Sequence, residues 1–353
     1  MKMNFQKLVI GASMAIGVSA LATAPAHATS FSFDNTAEIN TYTGTSKGDF
    51  IRGNAAGGTD AAIKALTDND SSSNVELWYS SENPAAGSYA SFTATQGDYK
   101  ATVSSITADD WKIFGSQWVT DLVNAYTPFQ SVWNGFSDTT KSLITSSFSS
   151  LGIGDPNIGG FQFGQNGGVQ VQLVGNLDVT SKLSTTISNN LNTVWSGGVG
   201  AILNLGVLPI SVKLQADVSA SDVQAKISLL QASLKLATDP QKQKLQSQID
   251  ALTSYKDLLN FQATLNGYTG AIGVSEIAKV VTGGTTSYAY SFKPTASGIT
   301  ASDDGVSYSA YYTWNTPGYI APLKQVPEPS IILGLLGVAG VFATQRKFKK
   351  ASI

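Results

Sequence analysis

The change from β-rich to helical sequence falls in residues 104–126, which read SSITADDWKIFGSQWVTDLVNAY. Thr107, followed three residues later by Asp110, resembles a capping box with Asp in place of the usual Glu. After this cap, bulky apolar residues recur every three or four positions, which is the spacing of one helix face. They are Trp111, Phe114, Trp118, Leu122 and Tyr126. The stretch predicts a helix that begins at a defined residue and buries an aromatic face.

The residues before this helix, 29–106, are β-rich. Strands are predicted where β-branched and aromatic residues cluster between turn signals, at Val75–Tyr79, Tyr89–Thr95 and Tyr99–Ile106. A short helix is predicted near Asp60–Leu66, inside a segment rich in Gly, Ser and Asp.

Helices and strands alternate in the residues that follow. Thr127-Pro128 resembles an N-cap with Pro at the first helical position, and Ser137 resembles the cap of a further helix. Residues 169–173 alternate between apolar side chains and glutamines, which predicts a strand with one solvent-exposed face.

The segment between that strand and residue 218 is less regular. Asp155-Pro156-Asn157 predicts a turn, and the spacing of apolar residues in 183–195 predicts a helix. Residues 199–218 have β-like sequence, interrupted by Pro209.

An antiparallel helical hairpin is predicted at about 219–265. Val223, Ile227, Leu230 and Leu234 are spaced by four, three and four residues, and Asp239-Pro240 restarts the pattern. The hairpin is either an exposed interaction arm or a packed insertion that covers a sheet, and the second interpretation is preferred.

Strands return in residues 275–316. Ile277–Val281 and Thr286–Phe292 flank Gly283-Gly284, which is typical of a β-hairpin. A further strand carries alternating apolar residues from Val306 to Trp314. The predicted fold class is α+β, with antiparallel strands, segregated helices and one inserted helical hairpin.

The first 28 residues have the three zones of a secretory signal peptide. Two lysines give a positive start, the run Leu8–Thr23 carries no charge, and Ala26 and Ala28 place small residues where a signal peptidase needs them. The apolar run is shorter than the roughly 20 residues of a membrane span. We predict that signal peptidase removes residues 1–28.

The last part of the chain, 326–353, also has three zones. Pro327-Glu328-Pro329 comes first, an uncharged apolar run at about 330–345 follows, and a basic tail completes it. At about 1.5 Å per residue the run is about 24 Å long, and snorkelling lysines can extend it to the roughly 30 Å hydrocarbon core. The basic residues are Arg346, Lys347, Lys349 and Lys350. We expect them on the cytoplasmic side, with the body of the chain outside.

These zones, in this order, resemble the PEP-CTERM sorting signal of Gram-negative bacteria. The two prolines hold the motif extended at the membrane surface, where a processing enzyme can bind it. The resemblance implies a transient anchor in the inner membrane, processing by an exosortase, and delivery to the cell surface or extracellular matrix. An ordinary single-pass anchor is the alternative. The mature domain is then residues 29–316, with a linker at 317–325.

Three collinear stretches of the mature chain resemble a family of cyanobacterial PEP-CTERM proteins of unassigned function. They lie within residues 104–111, 154–178 and 275–305. The helical hairpin is an addition to that pattern. The resemblance brings no catalytic or binding residues, so it implies location rather than activity.

The composition limits the chemistry that remains after signal cleavage. The histidine is His27, the methionines are Met1, Met3 and Met14, and the chain has no cysteine. A Ser-His-Asp or Cys-His apparatus is therefore excluded, as are zinc, haem and blue copper sites with His or Cys ligands. No catalytic residue, cofactor or metal ligand is predicted.

The charge balance also excludes one class of partner. Residues 29–329 carry 16 Lys and Arg against 24 Asp and Glu, a net charge of −8. A nucleic-acid binder needs a basic surface, so no nucleic acid is expected as a partner. The abundant Ser, Thr, Gly, Asn and Gln suit contact with sugars or a hydrated matrix.

Acidic loops are candidates for calcium binding. Asp68-Asn69-Asp70 and Asp303-Asp304-Gly305 offer carboxylates near turns, which calcium prefers. The EF-hand spacing is absent, and Asx turns are the preferred explanation.

Aromatic and paired acidic residues are the other candidates. A sugar-binding platform could use Trp78, Tyr79, Tyr308, Tyr312 and Trp314. Aromatic residues on strands belong more often to the core. Asp109-Asp110 could serve a glycosidase, but adjacent acids before a helix are more typical of capping.

The interpretation that follows is an exported surface or extracellular-matrix protein with a non-enzymatic structural or interaction role. The alternative is a carbohydrate-binding module for exopolysaccharide. A glycan hydrolase that uses carboxylates is the third hypothesis.

Overall fold

The structure is a computed structural model, and its description covers most of the chain between residues 28 and 319. The described ranges are 28–44, 50–70, 72–77, 89–204, 215–292, 294–296, 302–303 and 306–319.

Strands and helices follow one another along these ranges. The described strands are β1 (Ser30–Asp34), β2 (Ile39–Gly44), β3 (Phe50–Asn54), β4 (Ser73–Leu77), β5 (Ser91–Gln96), β6 (Tyr99–Ser104), β7 (Asn157–Phe163), β8 (Val169–Asp178), β9 (Gly273–Val274), β10 (Ala278–Thr282), β11 (Thr285–Ala289), β12 (Thr295–Ala296), β13 (Ser302–Asp303) and β14 (Val306–Asn315). The described helices are α1 (Asp60–Thr67), α2 (Ala108–Ala125), α3 (Thr127–Asn134), α4 (Asp138–Ser147), α5 (Thr180–Val194), α6 (Gly200–Asn204), α7 (Ala220–Leu236) and α8 (Asp239–Gly267).

The strands form antiparallel sheets, as the sequence predicts. The first sheet has the order β1-β5-β6-β10-β11. The second has the order β12-β14-β8-β7-β4-β2-β3, with β13 paired to β14 and β9 paired to β8. Together with the helices, they confirm the α+β class.

An apolar core joins the two sheets. Phe92 of β5 and Phe161 of β7 meet edge to face with ring centroids 5.5 Å apart, and Phe31 of β1 lies 6.0 Å from Phe161. Such edge contacts add to the free energy gained from burying the rings. Ala62 and Leu66 of α1 belong to the same buried cluster.

The helices build a second core of their own. Trp118, Ile144, Ile187 and Tyr255, from α2, α4, α5 and α8, are all fully or almost fully buried in it. The helices from α2 onwards are therefore segregated from the inter-sheet core, whereas α1 packs into it.

The aromatic face of α2 attaches this helical layer to the first sheet. Phe114 stacks on Tyr288 of β11 with ring centroids 3.9 Å apart, and Trp118 contacts Phe292 at 5.5 Å. Tyr290 donates a hydrogen bond to Asp121 at 2.7 Å. The face predicted from the spacing in 111–122 is thus buried against an edge strand.

The predicted capping box at the start of α2 is confirmed. The Thr107 hydroxyl oxygen accepts from the Asp110 N–H at 3.2 Å, and Asp110 Oδ2 accepts from the Thr107 N–H at 3.0 Å. Asp110 Oδ1 also pairs with Lys279 Nζ at 2.7 Å and accepts from the Tyr288 hydroxyl at 3.0 Å. Burial opposes ionisation of Asp110, but the Lys279 and Thr107 bonds outweigh it and hold the pKa of this carboxyl below its ordinary value.

The turn between β10 and β11 needs its two glycines. Gly283 and Gly284 have φ of 56° and 75°, which is the left-handed backbone of a type I′ hairpin turn. The predicted hairpin is confirmed, and it places Lys279 and Tyr288 side by side as a cross-strand pair.

The helical hairpin α7–α8 is confirmed, but it does not cover a sheet. Its base packs against α3, α4 and α5. Phe261 of α8 lies 5.6 Å from Phe129 and 5.9 Å from Phe136, measured between ring centroids. The distal half of the hairpin is mostly exposed to solvent.

One element prediction is wrong in the described residues. Residues 199–204 are helical rather than β-like, and Gln215–Asp217 forms a single 3-10 turn. Val199 and Leu203 are four residues apart and both are buried in the helical core. Their spacing outweighs the β preference of the valine. Residues 205–214, with Pro209, lie outside the described part.

A smaller error concerns a cap. Tyr126, not Thr127, is the N-cap of α3, and Thr127 is its first residue. Ser137 caps α4 as predicted, since its hydroxyl oxygen accepts from the Thr140 N–H at 3.2 Å.

Truncation of the α2 aromatic face should destabilise the whole molecule. We expect Phe114→Ala to lower the free energy of unfolding by about 3–5 kcal/mol, because it removes a buried ring and leaves a cavity. Denaturant unfolding measures this loss. The matched control is Ile113→Ala at the neighbouring position, whose side chain is 76% exposed and whose loss should change stability by less than about 0.5 kcal/mol. Equal effects of the two changes would contradict the assigned packing of α2.

Candidate functional site

The residues predicted to direct export and sorting lie almost entirely outside the described part of the chain. Ala26, Pro327-Glu328-Pro329 and the basic residues of 346–350 are among them, and so are both apolar segments. Ala28 is the first described residue, and it is exposed two positions before β1. Among the helices of the described ranges, none is long and apolar enough to cross a bilayer. The signal and sorting segments stay predictions.

The acidic loop after α1 uses its carboxylates for its own turns. Asp68 Oδ1 accepts from the Asp70 N–H and Asp70 Oδ1 accepts from the Ser72 N–H, both at 2.9 Å. These hydrogen bonds form Asx turns, the explanation that the sequence favours over a calcium site. The hydrogen bonds from Ser72 hold the pKa of Asp70 below its ordinary value. Asp304 and Gly305 of the other loop lie outside the described residues.

The aromatic platform is contradicted where it can be described. Tyr312 is 3% exposed, belongs to the inter-sheet core, and donates a hydrogen bond to Asn176 Oδ1 at 2.8 Å. Trp314 is partly buried against the same core. Both lie on the core-facing side of β14, because alternate residues of a strand share a face. Trp78, Tyr79 and the side chain of Tyr308 lie outside the described part.

The adjacent acids Asp109 and Asp110 do not form a catalytic pair. Asp110 is committed to the capping box and to Lys279. Asp109 forms an exposed ion pair with Lys112 at 2.8 Å. An exposed pair of this kind contributes little to stability.

A different set of acids converges in the interior. Glu76 lies on β4, Asp155 precedes β7, and Glu276 precedes β10. All are at most 6% exposed. Val75 and Leu77 point into the inter-sheet core, so Glu76 between them occupies the other face of its sheet.

Amide side chains on the neighbouring strands hold these carboxylates. Asn40 on β2 and Asn157 on β7 stand opposite Glu76 in the strand register. Asn40 Nδ2 donates to Glu76 Oε2 at 2.8 Å, and the Tyr42 hydroxyl donates to the same oxygen at 3.0 Å. Asn157 donates to Glu276 Oε2 from its backbone N–H at 3.0 Å and from Nδ2 at 3.1 Å. The loop carrying Glu276 is thereby attached to the second sheet.

The pKa of Glu276 is raised well above its ordinary value. Loss of solvent is the largest cause, followed by the negative charges of Asp155 and Glu76, while the Asn157 hydrogen bonds oppose the shift. Three carboxylates this close cannot all be ionised without a large electrostatic cost. The fold therefore favours the neutral form of Glu276 more than the unfolded chain does.

This carboxylate cluster is sealed rather than open to a substrate. Within the described ranges, no group of three or more Asp, Glu, His or Cys is arranged to hold a metal ion. A buried acid that retains its proton can serve as a general acid, but it then needs a cleft beside it. The hydrogen bonds of the cluster join the loop before β10 to the second sheet.

Two clefts lie on the helical layer instead. The larger, of about 560 Å³, runs between α3 and α8 and is lined by Ser131, Phe136, Asp257, Asn260 and Ala263, among others. The smaller, of about 400 Å³, lies on the distal hairpin beside Leu234, Lys235 and Lys242.

Asp257 is the fixed polar group of the larger cleft. Its Oδ2 accepts from the Ser137 N–H at 3.2 Å and from the Thr140 hydroxyl at 3.0 Å. Both bonds orient the carboxylate at the start of α4, where a helix stabilises negative charge. Asn260 lies one turn further along α8 and is exposed, so it shares this face of the helix.

Sequence reasoning missed both the carboxylate cluster and the cleft. Glu76, Asp155 and Glu276 are separated by 79 and 121 residues along the chain, and no local spacing relates them. The one available signal was Glu76, a charged residue between the apolar Val75 and Leu77 of a predicted strand. Its neighbours Asn40 and Asn157 are brought beside it by strand order alone.

The described fold defines the chain as an α+β protein of two antiparallel sheets and a helical layer. No protein-family model, curated protein or solved structure matches the chain.

The carboxylate cluster predicts a stability that falls as pH rises. Because the pKa of Glu276 is raised in the folded state, the folded chain holds a proton that the unfolded chain releases above pH of about 4.5. This contribution to the free energy of unfolding is complete below the pKa of the unfolded state. It falls by about 1.4 kcal/mol per pH unit between that pKa and the higher pKa of the folded state, and it is lost above the latter. We expect Glu276→Gln to remove this slope in urea unfolding measured from pH 5 to 9.

The amide suits the site because its oxygen can still accept from Asn157 and its NH₂ can face the other carboxylates. We therefore expect the variant to exceed the native chain in stability at pH 8. Asp109→Asn, an exposed acid, is the control and should leave the slope unchanged. A native pH slope retained by Glu276→Gln would show that another group is responsible.

Proposed function

We propose that this chain is an exported surface or extracellular-matrix protein, sorted through a PEP-CTERM and exosortase system, with a non-enzymatic structural or interaction role. The observation that carries the proposal is the pattern at the two ends. The uncharged run Leu8–Thr23 is followed by small residues at Ala26 and Ala28, and Pro327-Glu328-Pro329 precedes an apolar run and a basic tail. Signal peptidase, exosortase and, transiently, the inner membrane are the proposed partners.

The described acids favour a non-enzymatic role. Asp110 caps a helix, Asp68 and Asp70 close a turn, and Glu276 is buried and lines neither of the two clefts described above. A hydrolase without histidine or cysteine would depend on two carboxylates facing each other across a cleft. The described residues supply one carboxylate, Asp257, to the larger cleft.

The sorting signal gives the direct experiment. Two forms of the full chain are expressed in a host that has an exosortase. One is the native chain, and in the other Pro327, Glu328 and Pro329 are all replaced by alanine. The native chain should lose its C-terminal segment and leave the membrane. The variant should remain full length in the membrane fraction, because the extended motif that the enzyme binds is gone. Mass spectrometry of the C-terminus measures the outcome.

The matched control replaces Pro322, Leu323 and Lys324 by alanine in the linker just before the motif, and it should be processed as the native chain is. An intact Ile353 on native protein recovered from the cell surface would show that the C-terminal segment is not removed and would contradict the proposal. Processing of the motif variant at the native rate would do the same.

One observation favours the alternative of a carbohydrate-binding module. The cleft between α3 and α8 combines a fixed carboxylate, an exposed amide and the apolar side chains of Phe136 and Ala263. Sugars present hydroxyl edges and C–H faces, so this mixture of groups suits them. Asp257 and the adjacent Lys256 balance in charge, which favours a neutral ring.

Filling this cleft tests the alternative. We expect the full chain to be retained on immobilised neutral polysaccharide and Ala263→Trp to lose most of that retention, because the indole occupies the space of a ring. Ile113→Trp places the same side chain on an exposed position of α2 and should be retained as the native chain is. If both Trp variants were retained, the cleft would not be the binding site. If neither the native chain nor the control variant were retained, the chain would not bind this polysaccharide, and either result would reject the hypothesis of a carbohydrate-binding module.

A further inference from the structure

Helix α7 has an apolar face that no described element covers. Leu229 is 49% exposed and Leu236 is 90% exposed, and Ala225 and Ala232 are exposed on the same face. These four residues are spaced by four, three and four positions, which is the spacing of a coiled-coil seam. We call them the α7 seam.

The seam is distinct from the face that α7 uses within its own chain. Val223 and Ile227 are buried, and Leu230 and Leu234 are partly buried against the helical core. Helix α8 packs along this inner face. The seam lies on the outer side of the hairpin, and its two leucines are among the few large apolar side chains that the described residues expose. An exposed apolar row of this kind marks an interaction surface.

The order of residues in the seam makes it complementary to itself. If two copies of α7 lie antiparallel about a two-fold axis, Leu236 faces Ala225 of the second copy and Leu229 faces its Ala232. Every large side chain then meets a small one, which is how facing helices interdigitate without voids. A two-fold arrangement uses the same patch on both copies, so one self-complementary row suffices.

The borders of the seam tolerate this contact. Ser228 and Ser233 flank it, and their hydroxyls donate to the backbone oxygens of Gln224 and Leu229 at 3.0 and 3.1 Å. Both donors are satisfied within the helix, so covering them leaves no unpaired hydroxyl.

Charge favours the antiparallel direction. The tip of the hairpin carries Lys235, Lys242 and Lys244, and Asp239 pairs with one of these lysines. At the base, Asp217 lies in the turn before α7 and Asp222 lies in its first turn, with Lys226 one turn further along. A parallel pair would bring the two basic tips together, whereas an antiparallel pair keeps them apart and places each near Asp217 and Asp222 of the other copy. Hydrogen bonds from Ser219 hold the pKa of Asp222 below its ordinary value, so this acid is charged at neutral pH.

We propose that the α7 seam binds the α7 seam of a second copy of this chain, in an antiparallel helix pair with two-fold symmetry. The proposal rests on the described hairpin and not on export or sorting. An arm that self-associates would let copies of an extracellular protein link to one another.

Cysteine cross-linking tests the register, because the chain has no cysteine of its own. Full-length Leu229→Cys and Ala232→Cys variants are purified in detergent micelles, mixed and oxidised. The pairing predicts a covalent heterodimer at least about fivefold above that from Leu229→Cys mixed with Ala263→Cys, since disulfides need Cα atoms within about 7 Å. Intact mass under non-reducing conditions identifies the product. Equal yields from the two mixtures would overturn the proposal.

A charge in the seam gives a second measurement. Sedimentation equilibrium should show a dimer for the native chain, and Leu236→Glu should weaken its association at least about tenfold, because two buried carboxylates are added per dimer. Ile113→Glu places the same residue at another exposed apolar position and should leave association unchanged. Leu236 is so exposed that the variant should fold, which its helical circular dichroism checks. A native chain that stays monomeric at about 1 mM, where even weak specific pairs form, would refute the pairing, as would a seam that binds lipid vesicles in place of a second copy.

Discussion

The contact between α2 and the β10–β11 hairpin holds the two layers of this molecule together. Asp110 caps α2, pairs with Lys279 and accepts from Tyr288, so one buried carboxylate fixes a helix end to two strands. Phe114 then stacks on the ring of Tyr288. Burial and the charge of Asp110 raise the pKa of the Tyr288 phenol, so it remains a donor across the physiological range. A polar network that is fully satisfied in this way specifies one arrangement of the layers.

The buried acids show two solutions to the same physical problem. Burial opposes ionisation of Asp110, but its bonds with Lys279 and Thr107 lower its pKa. Burial, followed by the charges of Asp155 and Glu76, raises the pKa of Glu276. Both link segments that are far apart in the chain. Because the protein has no cysteine, no disulfide can link such distant segments, and hydrogen-bonded carboxyl groups link them instead. The raised pKa of Glu276 predicts a stability that depends on pH. Asp110 contributes through its ion pair with Lys279.

The helical hairpin α7–α8 is the part of the molecule best suited to the proposed interaction role. Its base is anchored in the helical core by Tyr255 and Phe261, while its distal half projects with few buried residues. A rigid base and an exposed apolar seam are suited to association between copies, and the cleft beside α3 offers a place for a small ring. Neither feature requires catalysis, which agrees with the structural use of the described acids.

Local patterns sufficed for much of the fold. The capping box at Thr107, the aromatic face of α2, the Gly283-Gly284 turn and the hairpin all follow from residues close together in sequence. The same local reasoning failed at residues 199–204, because a spacing of four between two apolar residues is compatible with either element until a core selects one.

What the sequence by itself determined is therefore the class of fold, the helix starts and turns, and the chemistry excluded by absent side chains. The predictions for the two ends also rest on sequence alone. Tertiary structure decided the strand order, the burial of Tyr312, the meeting of Glu76, Asp155 and Glu276, and the exposure of the α7 seam. The physical reason is that spacing along a chain fixes which residues share a face. What that face meets depends on long-range packing, which no local pattern encodes.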